Sequence, residues 1–403
     1  MLKIRIGLVE MMKFWIAPLI FLALFTGCSS DEKKREPVDL KDFTSEVNIQ
    51  TLWLEDVGSG SDGQHLFLQP FYTGSYVFTI DAEGLISAVE RASGKVIEEW
   101  DRNEPVIGGL GGDSNALYYT TRNGELVALT MDFANLADGA VDAESKIKEA
   151  FRVPLSSESL VPPKSNNARI FVQTIDGKLV ALDATNGQEI WRYSADEPLL
   201  SVRGTSVPQL SADSVITGFS NGEVVALDQQ TGWEKWSRPI GEARGRTELE
   251  RLIDVDASVL LEENRLFSVS LNGKLKMVDE NAGGEFWGKD VSSLVTVASA
   301  FQKVFVADSD GVIRAFDGAS STPVWENHDL AYRRLTNPVV LGTSIAVADF
   351  EGYVHFLAQS DGRLIGRIRV DSEGVRSPLM TENDILYVYG NGGKLAAIQL
   401  RDN

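Results

Sequence analysis

The feature that most limits what this chain can fold into is a unit that returns eight times. Its clearest copy is residues 169–191, RIFVQTIDGKLVALDATNGQEIW. An alternating apolar run leads into a turn at Asp176-Gly177. A second run, 178–183, leads into another turn at Asn186-Gly187, and a short strand closes on Trp191. Alternation around Asp-Gly and Asn-Gly pairs marks hairpins, because those residues accept the positive φ angles of tight turns. The first-turn glycines are Gly84, Gly124, Gly177, Gly222, Gly273, Gly311, Gly352 and Gly393, spaced by 38 to 53 residues. The residues after them repeat as well, as in GELVALT, GKLVALD and GEVVALD.

Two more markers keep the same register. A glycine stands four residues before a tryptophan in Gly187/Trp191, Gly232/Trp236 and Gly283/Trp287, and Ser321 takes the glycine place before Trp325. The first copy is looser, with Gly94 and Trp100, and the second and seventh lack the tryptophan. Pro163, Pro208 and Pro338 each lie 14 residues before the turn glycine; Pro378 lies 15 before. A unit of about 40–45 residues with four short strands is the period of a propeller blade. One such sheet cannot bury both faces, whereas blades stacked around an axis do. The expected fold is all-β: an eight-bladed β-propeller of four-stranded antiparallel blades, with the tryptophan packed between neighbouring blades. The eighth copy ends without room for its last strand. Gln50-Thr51-Leu52-Trp53-Leu54 resembles that missing strand and is expected to complete the last blade, closing the ring and removing an open sheet edge.

Residues 1–27 read as a targeting segment: Lys13 is positive, 14–25 is apolar, and Met11 or Met12 gives a more ordinary start. Small residues before Cys28 resemble the lipobox of bacterial lipoproteins, although Phe25 departs from the usual leucine. Cys28 is the only cysteine, so no disulfide within the chain is possible, and lipidation gives a lone exported thiol its reason. Residues 28–45 are expected to hold the lipidated cysteine and a flexible tether, and 46–403 the propeller. The formal charge is −20; three bases and one acid leave with residues 1–27, which makes the mature part −22. Such a surface argues against nucleic acid and against a direct grip on anionic lipid. Two insertions lengthen the repeat. Residues 131–151 are expected to include a short helix. Residues 239–256, PIGEARGRTELERLIDVD, offer Thr247 as a helix N-cap. Loops on one rim are where propellers carry function.

Catalytic signals are missing. There is no Gly-rich phosphate loop, no HExxH and no CxxC, and His65, His328 and His355 fall in different copies. His355, inside an alternating strand, reads as structural. Asp254 and Asp256 read as solvated or partner-facing carboxylates. No cofactor, metal or catalytic residue is expected. The repeats resemble those of pyrroloquinoline quinone dehydrogenases, but those enzymes carry adjacent cysteines over the quinone and this chain has one cysteine.

A lipobox, a tether and eight such repeats together resemble the BamB family, the lipoprotein subunit of the outer-membrane β-barrel assembly complex of Gram-negative bacteria. Residues 197–204, EPLLSVRG, and 248–256, ELERLIDVD, look like two of its loop segments. The resemblance implies a non-enzymatic scaffold, lipid-anchored on the periplasmic face of the outer membrane, that aids folding and insertion of β-barrel proteins. It implies docking on a POTRA domain of the barrel-forming subunit BamA through Leu200, Val202, Arg203, Asp254 and Asp256, with nascent outer-membrane proteins as a further contact. Val202 stands where the family has leucine. Leu200 and Val202 point the same way from an extended segment, and Arg203 offers a planar donor fork. The competing view packs both under the loop and pairs Arg203 internally with Asp254 or Asp256. A propeller that binds glycan or peptide remains the alternative function, and it calls for exposed aromatics on one rim.

Overall fold

A computed structural model describes residues 35–137, 143–196, 198, 200–201, 206–241, 247 and 252–402. The chain divides into 1–36 and 37–403. The targeting segment and Cys28 lie outside the described residues.

Eight four-stranded antiparallel sheets follow one another along residues 37–403. Blades 1 to 7 span 71–101, 111–154, 164–194, 209–239, 260–290, 298–327 and 339–369. Blade 8 takes three strands from 380–402 and its fourth from Val47–Asp56, which pairs antiparallel with Lys394–Asp402. The N-terminal strand therefore closes the ring. In blade 3, Arg169–Thr174 meets Lys178–Asp183 in register from Arg169↔Asp183 to Thr174↔Lys178, and Gly177 makes the turn at φ +69°. The middle strands of each blade are buried along nearly all their length, while the fourth strand alternates with solvent. Both faces of the middle strands are covered by neighbouring blades, and this is where the core lies.

The glycine–tryptophan spacing has a direct cause. Trp53, Trp191, Trp236 and Trp325 leave their own blade and lie on a glycine of the next. A Cβ on Gly232 would stand 2.5 Å from Trp191, one on Gly283 2.7 Å from Trp236, and one on Gly94 2.5 Å from Trp53. Every ring also donates its Nε1–H to a backbone carbonyl of the following blade. Trp53 reaches Arg91 at 2.9 Å, Trp191 reaches Gln229 at 3.1 Å, Trp236 reaches Glu280 at 2.9 Å, Trp287 reaches Gly318 at 2.9 Å and Trp325 reaches Gln359 at 3.0 Å. The glycine place needs positive φ and an open face. Ser321 keeps the first property at φ +57°.

Register explains the exceptions. In blade 2 Phe151 stands opposite Ala128, as Trp191 stands opposite Ala181. In blade 7 the place is Gly366, where a side chain would meet Val47 and Ile49 of the closing strand. Blade 1 differs from the sequence reading. Glu98, and not Trp100, stands opposite Ala88. Trp100 is buried two residues further on and donates to the Ala143 carbonyl at 3.0 Å. The 131–151 stretch is only partly an insertion. Phe133–Asn135 and Ala143–Lys146 are helical turns, but Ile147–Pro154 is the fourth strand of blade 2. Lys146 is wholly buried; it ties this excursion to blade 1 through Glu98 and bonds within the excursion to the Leu136 carbonyl.

Connectivity defines two rims. The turn between a blade's second and third strands and the connection to the next blade lie at the same end. The residue after the fourth strand returns to the turn glycine: Arg102 to Gly84 at 3.1 Å, Leu155 to Gly124 at 2.7 Å, Ala195 to Gly177 at 2.9 Å, Ile240 to Gly222 at 2.8 Å and Val370 to Gly352 at 2.9 Å. This end is the loop rim; the remaining turns form the opposite rim.

Residues 38–45, read as part of a flexible tether, are docked on the propeller. Val38 donates to the Ala331 carbonyl at 3.1 Å, and Glu46 donates to Ile365 at 2.8 Å. The structural boundary is at residue 37, because Leu40 finds apolar cover and three arginines find acceptors in this stretch.

Candidate functional site

Two long connections meet on the loop rim beside blade 4. One, 195–208, joins blades 3 and 4; the other, 240–259, joins blades 4 and 5. Their roots are tied. Ser206 donates to the Ala257 carbonyl at 3.2 Å, and the Val207 amide donates to Ser258 Oγ at 3.1 Å. Beneath them, Thr217 bonds to Gln173, whose amide donates to Gly218 O at 2.7 Å. A buried amide side chain from blade 3 thus holds the strand of blade 4 under both loops.

Of the five residues singled out in sequence, Leu200 is 51% exposed on the first connection. Val202 and Arg203 lie outside the described residues, as does most of the helical segment expected after Thr247. The structure ties the described roots of the two connections and changes the reading of the acids. Asp254 is 0% exposed and is not solvated. Its backbone pairs with Leu271, whose amide donates to Asp254 O at 2.9 Å, and Val255 donates to Phe219 O at 3.3 Å. Ile253 and Val255 press onto Gly222 and Gly218, which lack the side chains that would hold them off. Apolar residues on either side therefore draw the carboxylates under the loop. Burial, then the neighbouring Asp254 charge and a hydrogen bond to it, push the Asp256 carboxyl up to about 9. Two carboxyls this close and this buried favour sharing one proton. Sequence reasoning missed this burial; the alternation Ile253-Asp254-Val255-Asp256 was the available signal, since it reads as a strand edge.

Other clusters are structural. His355 is wholly buried, with Nε2 2.9 Å from Asp349, which also accepts from Arg333 Nε at 2.7 Å. Burial pushes His355 down against the pull of Asp349. Burial also works to raise Asp349, but His355 and Arg333 outweigh it and hold that carboxyl below the usual range. Among the described residues, no three His, Cys, Asp or Glu side chains stand together as a metal site, and no helix is long and apolar enough to cross a membrane. Trp233 is 79% and Phe301 70% exposed on the opposite rim. They sit two blades apart, one on an outer turn and one on an inner turn, so they form no single stacking platform.

The family model for outer membrane protein assembly factor BamB matches residues 82–327 and 309–402. The chain is 37% identical over 388 residues to the protein of that name from Pseudomonas aeruginosa, covering 96% of this chain and 98% of the relative. It is 37% identical over 384 residues to that of Marinobacter adhaerens, covering 95% of each. Its fold matches the crystal structure of BamB from Moraxella catarrhalis with a TM-score of 0.76 at 28% identity, over 87% of this chain and 100% of that one. A europium-containing methanol dehydrogenase matches with a TM-score of 0.66 at 12% identity, a likeness of fold alone.

Proposed function

The chain belongs to the BamB family of outer-membrane protein assembly factors, and from that premise we propose that it is a non-enzymatic scaffold of the β-barrel assembly complex. It is anchored through a lipidated Cys28 at the periplasmic face of the outer membrane and binds a POTRA domain of BamA. The observation that carries the docking site is the pair of connections tied at their roots on one rim with Leu200 presented to solvent. An apolar side chain beside charged ones suits the centre of an interface. Leu200, Val202 and Arg203 make the contact. Asp254 and Asp256 act from beneath it, holding the shape of the second loop. Nascent outer-membrane proteins are a further partner.

The test is a pull-down from detergent-solubilised envelopes with the parent chain, Arg203→Glu and Leu200→Ala. A barrel protein with periplasmic domains comes down with the parent. Arg203→Glu lowers its recovery tenfold or more, since reversing a desolvated interface charge leaves it facing its former partner. Retention of the partner by both variants, with melting unchanged, moves the docking surface elsewhere. Absence of any such partner with the parent chain favours a glycan- or peptide-binding propeller instead.

A further inference from the structure

The stretch 38–46 crosses the outer side of blade 7 before the closing strand begins at Val47. At its start, on the loop rim, Val38 donates to Ala331 O and accepts from Arg333 Nη1 at 3.0 Å. The Arg333 side chain is buried and already fixed by Asp349 and Glu351, so this donor is aimed before the strap arrives. Further along, Lys41 pairs with Asp329 at 3.0 Å, and Arg367 donates to Lys41 O at 2.7 Å while lying over the Phe43 ring at 5.2 Å. Leu40 packs against the core between blades 6 and 7. At the far end Ser45 Oγ donates to Ile365 O at 3.3 Å, and Arg363 pairs with Glu46 at 2.8 Å. Contacts are spread along the strap from one rim to the other, with both ends hydrogen-bonded through their backbone.

We propose that this strap is the mount of the membrane anchor: it takes the load of the lipidated end on blades 6 and 7 and brings the chain out on the loop rim. The inference rests on the lipoprotein reading above. Two consequences follow from connectivity. Cys28 stands ten residues before Val38, a step of at most about 35 Å at full extension. The strap also begins on the same rim that carries Leu200 and the root of the 240–259 connection, which turns that rim toward the lipid surface and the complex embedded in it. The closing strand, which holds the ring together, begins only after the strap and is shielded from pulling.

Two measurements on the full lipidated chain test this. The first is trypsin cleavage after Lys41 in detergent. In the parent chain it is at least tenfold slower than in Arg363→Ala/Arg367→Ala, a pair of surface changes that leaves melting nearly unchanged. Equal rates overturn the strap; if the double variant fails to fold, Leu40→Ser serves in its place. The second uses vesicles of phosphatidylethanolamine and phosphatidylglycerol carrying an acceptor lipid, with a donor dye on Ser309→Cys of the loop rim or Ser320→Cys of the opposite rim. Energy transfer is severalfold stronger from position 309. Equal or reversed transfer overturns the orientation. A chain that does not partition to vesicles at all overturns the lipoprotein reading and the anchor role with it, and the protease result then judges the strap alone.

Discussion

Gly232 shows how one position carries two demands. Its φ is +71°, and a Cβ there would stand 2.5 Å from the Trp191 ring. Gly232→Ala is expected to cost about 2–4 kcal/mol, from left-handed strain and overpacking together. Gly342→Ala is the control. Its φ is +57° but nothing lies near the added carbon, so strain alone, about 1 kcal/mol, is expected. Thermal or denaturant melts separate the two; equal losses would mean that the ring contact contributes nothing. Asp256 makes a pH prediction at the same scale. Its carboxyl keeps a proton to higher pH in the folded chain than in the unfolded one. Its stabilising contribution is therefore complete below about pH 4 and is lost as pH rises toward about 9. Asp256→Asn is expected to flatten the fall in melting temperature between pH 6 and 9 and to gain about 2 °C or more at pH 9. An unchanged pH profile would show that the carboxyl is not buried as described.

At the scale of elements, the excursion before the fourth strand of blade 2 is held to blade 1 by Trp100 and by a buried cation. Lys146 bonds to Glu98 and to the Leu136 carbonyl with no solvent at its side chain. Lys146→Ala leaves Glu98 without its partner and is expected to cost about 3 kcal/mol or more. Adding Glu98→Gln should recover part of that loss, and a double-mutant cycle measures the coupling. The strand Val47–Asp56 is a second element with leverage. Trp53 sits on Gly94 and bonds to Arg91 O, so it fastens blade 8 to blade 1. Trp53→Ala removes a large buried ring at the seam, with an expected loss of about 3–5 kcal/mol. Because this is where the ring closes, the loss should show as earlier hydrogen exchange in blades 8 and 1 than in blades 4 and 5. Uniform exchange around the ring would count against a weak seam.

For the whole molecule, the ring separates duties. Blade packing repeats one device at several seams, a tryptophan on the next blade's glycine, and leaves the connections free to vary. The loops at blades 3 to 5 carry the proposed partner surface, while blades 6 and 7 hold the N-terminal strap. Leu200→Asp therefore tests independence at this scale. It is expected to weaken partner recovery tenfold while the melting temperature and the trypsin pattern at Lys41 stay as in the parent chain. A melting loss of several degrees would mean that Leu200 supports the loop and does not meet a partner.

The repeats were legible because a propeller blade is local: hairpin turns, alternation and the glycine–tryptophan step all fall within one copy of the unit. Ring closure was legible for the same reason, since Gln50 to Leu54 reads as a strand missing its blade. What lay beyond the sequence depended on partners far along the chain. Glu98 stands opposite Ala88, where other blades place a tryptophan, and there meets a buried lysine from the next blade. Residues 38–45 are charged and polar enough to read as a tether, and it is the arginines of blade 7 and its preceding connection that give them donors and cover. Asp254 looked solvated on a polar loop until its neighbours Ile253 and Val255 found the two glycines of blade 4. The sequence by itself determined the repeated blade, its count and its closure, because those follow from short-range periodicity. Burial of particular charges and docking of the N-terminal strap were decided by the tertiary structure, because both are set by contacts between residues that no local pattern relates.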